Sequence, residues 1–201
     1  MAKLHVLIMA AGDSKRMGTP KQLLDWGPQK LLRYQIEKIR ALQLPFSVVL
    51  GAYQEEIRRS LDLSESPIIM NQNWQNGLGT SIAKGVAVVT EEHSHLEGIL
   101  VVLADQPLVG IEQYQKLLDQ FEAHQQQILV SQSEEGFTSP PVLFDVCYFG
   151  ELMQLEGDHG AKPLLQKYKE NVLKITSSSS LADMDTPEAY ESLLQLFNRQ
   201  S

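Results

Sequence analysis

Two apolar runs, one at 4–10 broken only by His5 and one uninterrupted at 98–104, constrain the fold of this chain more than any other feature. A strand covered on one face alternates apolar and polar residues. A run that is apolar at every position reads instead as a strand covered on both faces, as in a parallel sheet flanked by helices. The rest of the chain fits that reading. Helical patterns at 29–43, 55–61, 80–89, 111–123, 145–155, 161–169 and 187–197 alternate with extended ones at 46–50, 67–70, 128–131, 142–144 and 172–175. Pro187 suits the first turn of the last helix. The alternation predicts an α/β fold of three layers, a doubly wound, mainly parallel, Rossmann-like sheet. In such sheets ligands bind beyond the carboxyl ends of the strands, near a switch in strand order. Both apolar runs end in unusual loops, 11–21 and Asp105-Gln106-Pro107.

The 201 residues suit one domain able to bury its own core. No internal repeat is visible, and the serine run at 176–180 is too short for a linker. No apolar run approaches the roughly 18–20 residues of a membrane span, and no leader pattern precedes the first strand. A single cysteine, Cys147, excludes an internal disulfide and reads as a small buried hydrophobe. These features imply a cytoplasmic protein with no membrane partner. The 17 Lys and Arg stand against 25 Asp and Glu, a formal net charge of −8, which argues against nucleic-acid binding.

The scarce cations are concentrated. Lys15, Arg16 and Lys21 fall in the loop Ala10-Ala11-Gly12-Asp13-Ser14-Lys15-Arg16-Met17-Gly18-Thr19-Pro20-Lys21. Small residues at 10–12 let backbone N–H groups approach an anion, Arg16 offers a planar fork to phosphate oxygens, and Lys21 a mobile point charge. The spacing is neither a Walker loop nor the dinucleotide G-x-G-x-x-G. Asp105 ends the second apolar run, where a carboxylate is wasted on packing but suits Mg²⁺, which takes one or two carboxylates plus substrate phosphates. Gly77-Leu78-Gly79-Thr80-Ser81 is a glycine-rich loop opening a helix. Trp74 just before it reads as a packing anchor or a stacking platform. His5 lies in a strand, and no histidine spacing suggests zinc.

The loop at 10–21 resembles the L-A-A-G-x-S-x-R-M-G-x-P-K signature of the MobA-like nucleotidyltransferases. It is closest to the MocA-type branch, the molybdenum cofactor cytidylyltransferases, which include accessory proteins of xanthine dehydrogenase. Met9 stands where the signature has leucine. The likeness continues in order through Trp74–Ser81, Leu103–Leu108, Gly157-Asp158-His159-Gly160-Ala161-Lys162 and Asp183-Met184-Asp185-Thr186-Pro187-Glu188. It implies transfer of CMP from CTP to molybdopterin-type molybdenum cofactor, with Mg²⁺, and a xanthine dehydrogenase-type recipient enzyme.

Carried over residue by residue, the likeness makes Arg16, Lys21 and Asp105 catalytic. Ala10, Ala11, Gly12, Ser14, Arg16, Lys21, Gly77, Gly79 and Ser81 bind nucleotide, and Asp105 and Asp185 hold metal. Asp158, His159 and Lys162 bind the acceptor. Residues 1–110 form the nucleotide-binding half and 111–201 the acceptor-binding half. Ala-Ala-Gly, in place of the Ala-Gly-Gly of guanylyltransferase relatives, favours CTP over GTP. Departures cluster on the acceptor side: Lys162 for arginine, Pro140 for histidine, and Thr138-Ser139 for Arg-Gly. Transfer to a sugar phosphate, GTP-dependent guanylyl transfer, a non-catalytic cofactor carrier and a nicotinamide-dependent oxidoreductase stay open. Asp185 could alternatively cap the helix at Pro187.

Overall fold

The computed structural model describes residues 2–200. Strand β1 (Leu4–Ala10) leads through the cationic loop into a small hairpin, β2 (Asp25–Trp26) and β3 (Gln29–Lys30), and then α1 (Leu31–Arg40). There follow β4 (Phe46–Leu50), α2 (Gln54–Ser60), β5 (Ile68–Met70), α3 (Leu78–Glu92), β6 (Gly98–Leu103) and α4 (Ile111–Gln120). The remainder is β7 (Ile128–Gln132), β8 (Thr138–Asp145), α5 (Phe149–Leu152), α6 (Lys162–Lys167), β9 (Val172–Thr176) and α7 (Pro187–Gln200). The main sheet has seven strands in the order β5-β4-β1-β6-β8-β7-β9. Only β8 runs antiparallel to its neighbours, so the sheet is mainly parallel as expected.

Side-chain alternation along the central strands builds the three layers. Val6 and Ile8 point to one face, where Leu32, Ile36 and Ile39 of α1, Ile57 of α2 and Leu117 of α4 cover them. Leu7 and Met9 point to the other, covered by Ile82, Val86 and Val89 of α3 with Leu152 and Leu164. Both faces of β1 are therefore dry, which is why its sequence shows no polar alternation beyond the buried His5. A third cluster, Trp26, Leu31, Met184 and Leu193, fastens the hairpin to α7.

Several boundaries differ from the sequence expectation. The pattern read as one helix over 29–43 begins instead with a strand, because Gly27 adopts φ +60° and turns Gln29–Lys30 back onto Asp25–Trp26. It ends at Arg40, and Gln43 adopts a positive φ of 57°. The helix expected at 111–123 ends at Gln120, where Phe121 turns extended to pack into the core. The stretch at 145–155 holds only a 3₁₀ turn and four α-helical residues. Asp145 is fully buried there and accepts the Cys147 N–H at 3.1 Å. The turn leaves Cys147 exposed, which corrects its assignment as a buried hydrophobe. Partial desolvation of the thiol, together with the neighbouring Asp145 carboxylate, pushes its pKa up to about 11. Among the described residues no helix is long and apolar enough to cross a membrane.

Candidate nucleotide and metal site

β1 and β6 pair in register, Met9 opposite Leu103, so the loops after them leave the sheet side by side. The Ala104 N–H donates to the Met9 carbonyl at 3.0 Å, continuing the pairing to the mouth of the site. The cationic loop is fixed from beneath. Buried Gln22 donates Nε2 to the carbonyls of Ala10 (2.8 Å) and Gly12 (3.3 Å). Ser14, at φ +51°, accepts the Lys21 N–H on Oγ at 3.0 Å and starts a turn in which Met17 N–H donates to its carbonyl. The Ser14 side chain thus shapes the loop, and Gly12 is exposed at the surface a ligand would meet.

The Asp105 loop is pinned by α1. Gln35 Nε2 donates to the carbonyls of Leu103, Ala104 and Gln106, and Lys38 Nζ to those of Pro107 (2.6 Å) and Val109 (2.9 Å). Burial lowers the Lys38 ammonium to about 7, against the pull of Glu112. Gln106, itself buried, donates to Ser139 Oγ (2.8 Å) and to the Leu181 carbonyl (2.9 Å), tying this loop to β8 and to the segment before α7. Asp185 lies at the end of that segment. Thr186, rather than Asp185, accepts from the first turn of α7 through the Ala189 N–H, so the Asp185 carboxylate faces the loop instead.

There Lys21 Nζ donates to Asp105 Oδ2 at 2.6 Å and to Asp185 Oδ1 at 2.8 Å, while Arg16 Nη2 pairs with Asp185 Oδ2. Lys21 is 12% exposed and Arg16 67%. Burial alone would lower the Lys21 ammonium; Asp105 and then Asp185 outweigh it and hold the pKa above its ordinary value. Asp185 is held low, since Lys21 and then Arg16 overcome its own partial burial. Asp183 behaves oppositely. Burial of its carboxyl, with Asp105 and Asp185 nearby, pushes it up to about 6. A cavity of about 300 Å³ runs from Gly12 and Arg16 past Lys21 to the two carboxylates.

This arrangement fits a divalent cation. An ammonium already bridges the two carboxylates from which such an ion would draw ligands. Among the described residues no cluster of three or more His, Cys, Asp or Glu forms a complete cage. The donor set is the open, oxygen-only kind that suits Mg²⁺ or Mn²⁺ completed by phosphate oxygens and water.

A second cleft, about 530 Å³, adjoins the first across Gly12 and Asp105. Trp74, Gln75, Gly77, Leu78, Ser81 and Asp158 line its far side. Gly77 and Gly79 are required by the packing of the chain on itself. At Gly77, φ +95°, a Cβ would collide with the Gly157 backbone, and at Gly79 it would come 2.6 Å from the Glu156 carbonyl oxygen. Trp74 packs over Gly51, whose added Cβ would lie 2.5 Å from that of Trp74, as the anchor reading expects, and it also lines the cleft. Ser81 is buried and accepts Asn71 Nδ2 at 2.9 Å.

The three acceptor-side candidates part company. Asp158 lines the cleft beside Gly77, Lys162 lines a separate apolar chamber, and His159 is exposed and lines neither. Gln22, Gln35 and Lys38 escaped the sequence reading, and Gln106 and Asp183 entered it only within motifs, with no role of their own. Of the first three, Gln35 left a signal: it interrupts the apolar stripe of Leu32, Ile36 and Ile39.

An open α/β sheet with a cationic loop and paired carboxylates at its carboxyl edge defines a protein that handles a metal-bound phosphate ester. Residues 6–172 match the MobA-like NTP transferase domain, and the chain belongs to that family of nucleotidyltransferases. It is 27% identical to the purine catabolism protein PucB of Bacillus subtilis, over 92% of this chain and 93% of that protein. It is also 27% identical to nicotine blue oxidoreductase of Paenarthrobacter nicotinovorans, over 94% and 95%. The crystal structure of Rv0371c from Mycobacterium tuberculosis superposes with a TM-score of 0.86 at 26% identity, covering 96% of this chain and 98% of that one. Rv0371c has also been solved in complex with manganese, at a TM-score of 0.82 and 24% identity over 96% and 99%. The motifs at 10–21, 74–81, 103–108 and 157–162, which carried the resemblance, lie within the matched residues, and that at 183–188 lies beyond them.

Proposed function

We propose that this protein is a CTP:molybdopterin cytidylyltransferase. A phosphate oxygen of the acceptor attacks the α-phosphorus of CTP, a new P–O bond forms, the bond to the β-phosphate breaks, and pyrophosphate leaves. The observation that carries the reading is Lys21 seated between Asp105 and Asp185 with Arg16 alongside, at the end of two buried strands.

Asp105 and Asp185 would hold Mg²⁺, which would supply positive charge to the triphosphate. Lys21 and Arg16 would take the β- and γ-phosphates and stabilise the leaving pyrophosphate. The Gly12 backbone meets the triphosphate, and the cleft past Trp74 and Gly77 takes the nucleoside. A phosphate nucleophile is already ionised near neutral pH, so positioning and charge neutralisation carry the reaction with no strong general base. The manganese complex of Rv0371c supports a divalent metal, and PucB, a purine catabolism protein, supports service to a dehydrogenase of the xanthine dehydrogenase type. The half of the chain up to residue 110 then binds nucleotide, and the rest, with Asp158, His159 and Lys162, the acceptor.

Pyrophosphate release from CTP and from GTP, with Mg²⁺ and molybdenum cofactor present, tests the reading. Release with CTP that requires the cofactor is the expected result; equal or faster release with GTP overturns the cytidylyl assignment. The likeness to nicotine blue oxidoreductase favours a second reading, a reductase on the same fold. Nicotinamide oxidation without pyrophosphate release would establish it.

A further inference from the structure

Among the described residues four glutamines are buried, Gln22, Gln35, Gln106 and Gln113, and each donates its side-chain amide to main-chain carbonyls. Gln22 and Gln35 each hold one loop. Gln113 joins two neighbouring strands, β7 through Ser131 Oγ (3.0 Å) and β9 through the Ile175 carbonyl (3.1 Å). Gln106 differs from the other three in what it connects. It follows Asp105 in the chain, and its Nε2 reaches the Leu181 carbonyl at 2.9 Å, in the segment that ends in Asp185. The same nitrogen donates to Ser139 Oγ of β8 at 2.8 Å.

The orientation of this amide is fixed. A carbonyl can only accept, so the nitrogen must face Leu181, and Oε1 is left buried with no hydrogen-bond partner among the described residues. An amide with an orphaned oxygen is a poor choice for filling space; what it supplies is two donors on one nitrogen, directed to two different elements. The main chain adds a parallel link, from the Met184 N–H to the Asp105 carbonyl at 2.9 Å. Together the two bonds brace the Asp105 loop against the segment at 181–185, beside the point where both carboxylates meet Lys21. Two like charges facing one cation push each other apart. The Lys21 bridge draws them together only while the ammonium lies between them, whereas an uncharged brace holds their spacing whatever the cation.

We propose that Gln106 is a positioning residue for the divalent metal: through Leu181 it sets how far apart Asp105 and Asp185 stand, and so how tightly the pair holds the ion. The inference rests on the metal-site reading above and adds to it the residue that tunes the site. Groups that orient metal ligands from behind commonly change affinity by roughly 10–100-fold when they are lost.

Mn²⁺ binding in the presence of CTP, followed by the electron paramagnetic resonance of the free ion, tests the inference without turnover. Gln106→Met keeps an unbranched side chain of similar length and removes both donors. Gln113→Met makes the same change in the amide that joins β7 to β9, and is the structural control. Gln106→Met should raise the Mn²⁺ dissociation constant by about tenfold and Gln113→Met by less than about twofold, although both lower the melting temperature. Should Gln106→Met fail to fold, Gln106→Asn, whose amide falls one methylene short of Leu181, should weaken Mn²⁺ to the same degree. An affinity unchanged by the Gln106 substitutions, or lowered equally by Gln113→Met, overturns the inference. Asp105→Asn, measured alongside, separates the two readings. If it binds Mn²⁺ as wild type does, the metal-site reading falls; if it loses the ion while Gln106→Met keeps it, only the role of Gln106 falls.

Discussion

The loop after β1 and the stretch at 133–140 both overhang the carboxyl edge of the sheet, yet they are held very differently. In the first, Gln22, Ser14 and Lys21 spend their hydrogen bonds on fixing one backbone path, and the charged ends that remain converge on Asp105 and Asp185. In the second, the hairpin tip at 133–137 is held by its own local hydrogen bonds, with Phe137 72% exposed at its end. Its one tie to the catalytic loops passes from Ser139 to Gln106. On the proposed reading, the contrast would separate a part of the molecule whose chemistry tolerates little variation from one free to fit different acceptors. The departures from the family pattern at Thr138, Ser139 and Pro140 fall in the loosely tied stretch.

The contrast can be broken most sharply at Asp105. Asp105→Asn keeps the size and removes the charge a hard cation needs. Pyrophosphate release should fall by on the order of 10³-fold, with excess Mg²⁺ restoring only part of it. A variant with unaltered Mg²⁺ dependence would move the metal away from this loop. Next is the seam between the two regions. Gly77→Ala forces a side chain into a positive φ and onto the Gly157 backbone, and should destabilise the fold by roughly 2–3 kcal/mol by chemical denaturation. A smaller loss would mean that the 156–160 turn can yield and is not rigidly set by α3.

Lys38→Met tests how much the tether beneath Asp105 matters. Loss of its bonds to the Pro107 and Val109 carbonyls should cost about 1–2 kcal/mol and raise the Mg²⁺ concentration needed for half-maximal activity. Unchanged Mg²⁺ demand would show that Gln35 alone holds the loop. Asp183 gives a pH signature. Its folded pKa of about 6 lies above its ordinary value, so the folded state keeps a proton that the unfolded chain has released. This contribution to stability is present below about pH 4 and is lost as pH rises to about 6. Melting temperatures should show that decline in wild type and a flatter curve in Asp183→Asn. The smallest effect belongs to exposed Lys162: Lys162→Ala should change stability by less than about 0.5 kcal/mol and leave CTP affinity intact, while raising the acceptor KM severalfold.

The layers and their order were legible because β1 and β6 are buried on both faces and say so at every position. The cationic loop was legible because few residue types supply small backbone, fork and point charge together. The hairpin at 25–30 was not, since the apolar stripe of α1 masks a turn made by one glycine. The pairing of Lys21 with two carboxylates distant in sequence, and the hold of Gln35 on the Asp105 loop, depend on contacts across 68 to 164 positions that no local pattern records. Gly77 and Gly79 were carried over as nucleotide-binding from the family likeness, and no local pattern told that the space beside them is filled by the turn at 156–157.

Lys21 has a consequence for the protein before any substrate arrives. Its ammonium bridges two carboxylates that would otherwise repel each other, and on the proposed reading it would be a built-in stopper where a metal would sit. A bare divalent ion gains only the margin by which it outbids that ammonium, whereas a metal arriving with a triphosphate gives the evicted lysine a new anion to hold. Entry is therefore a trade in which both guests come together. Chelators should leave the empty protein folded and unchanged, and each ligand should tighten the grip on the other by the same factor.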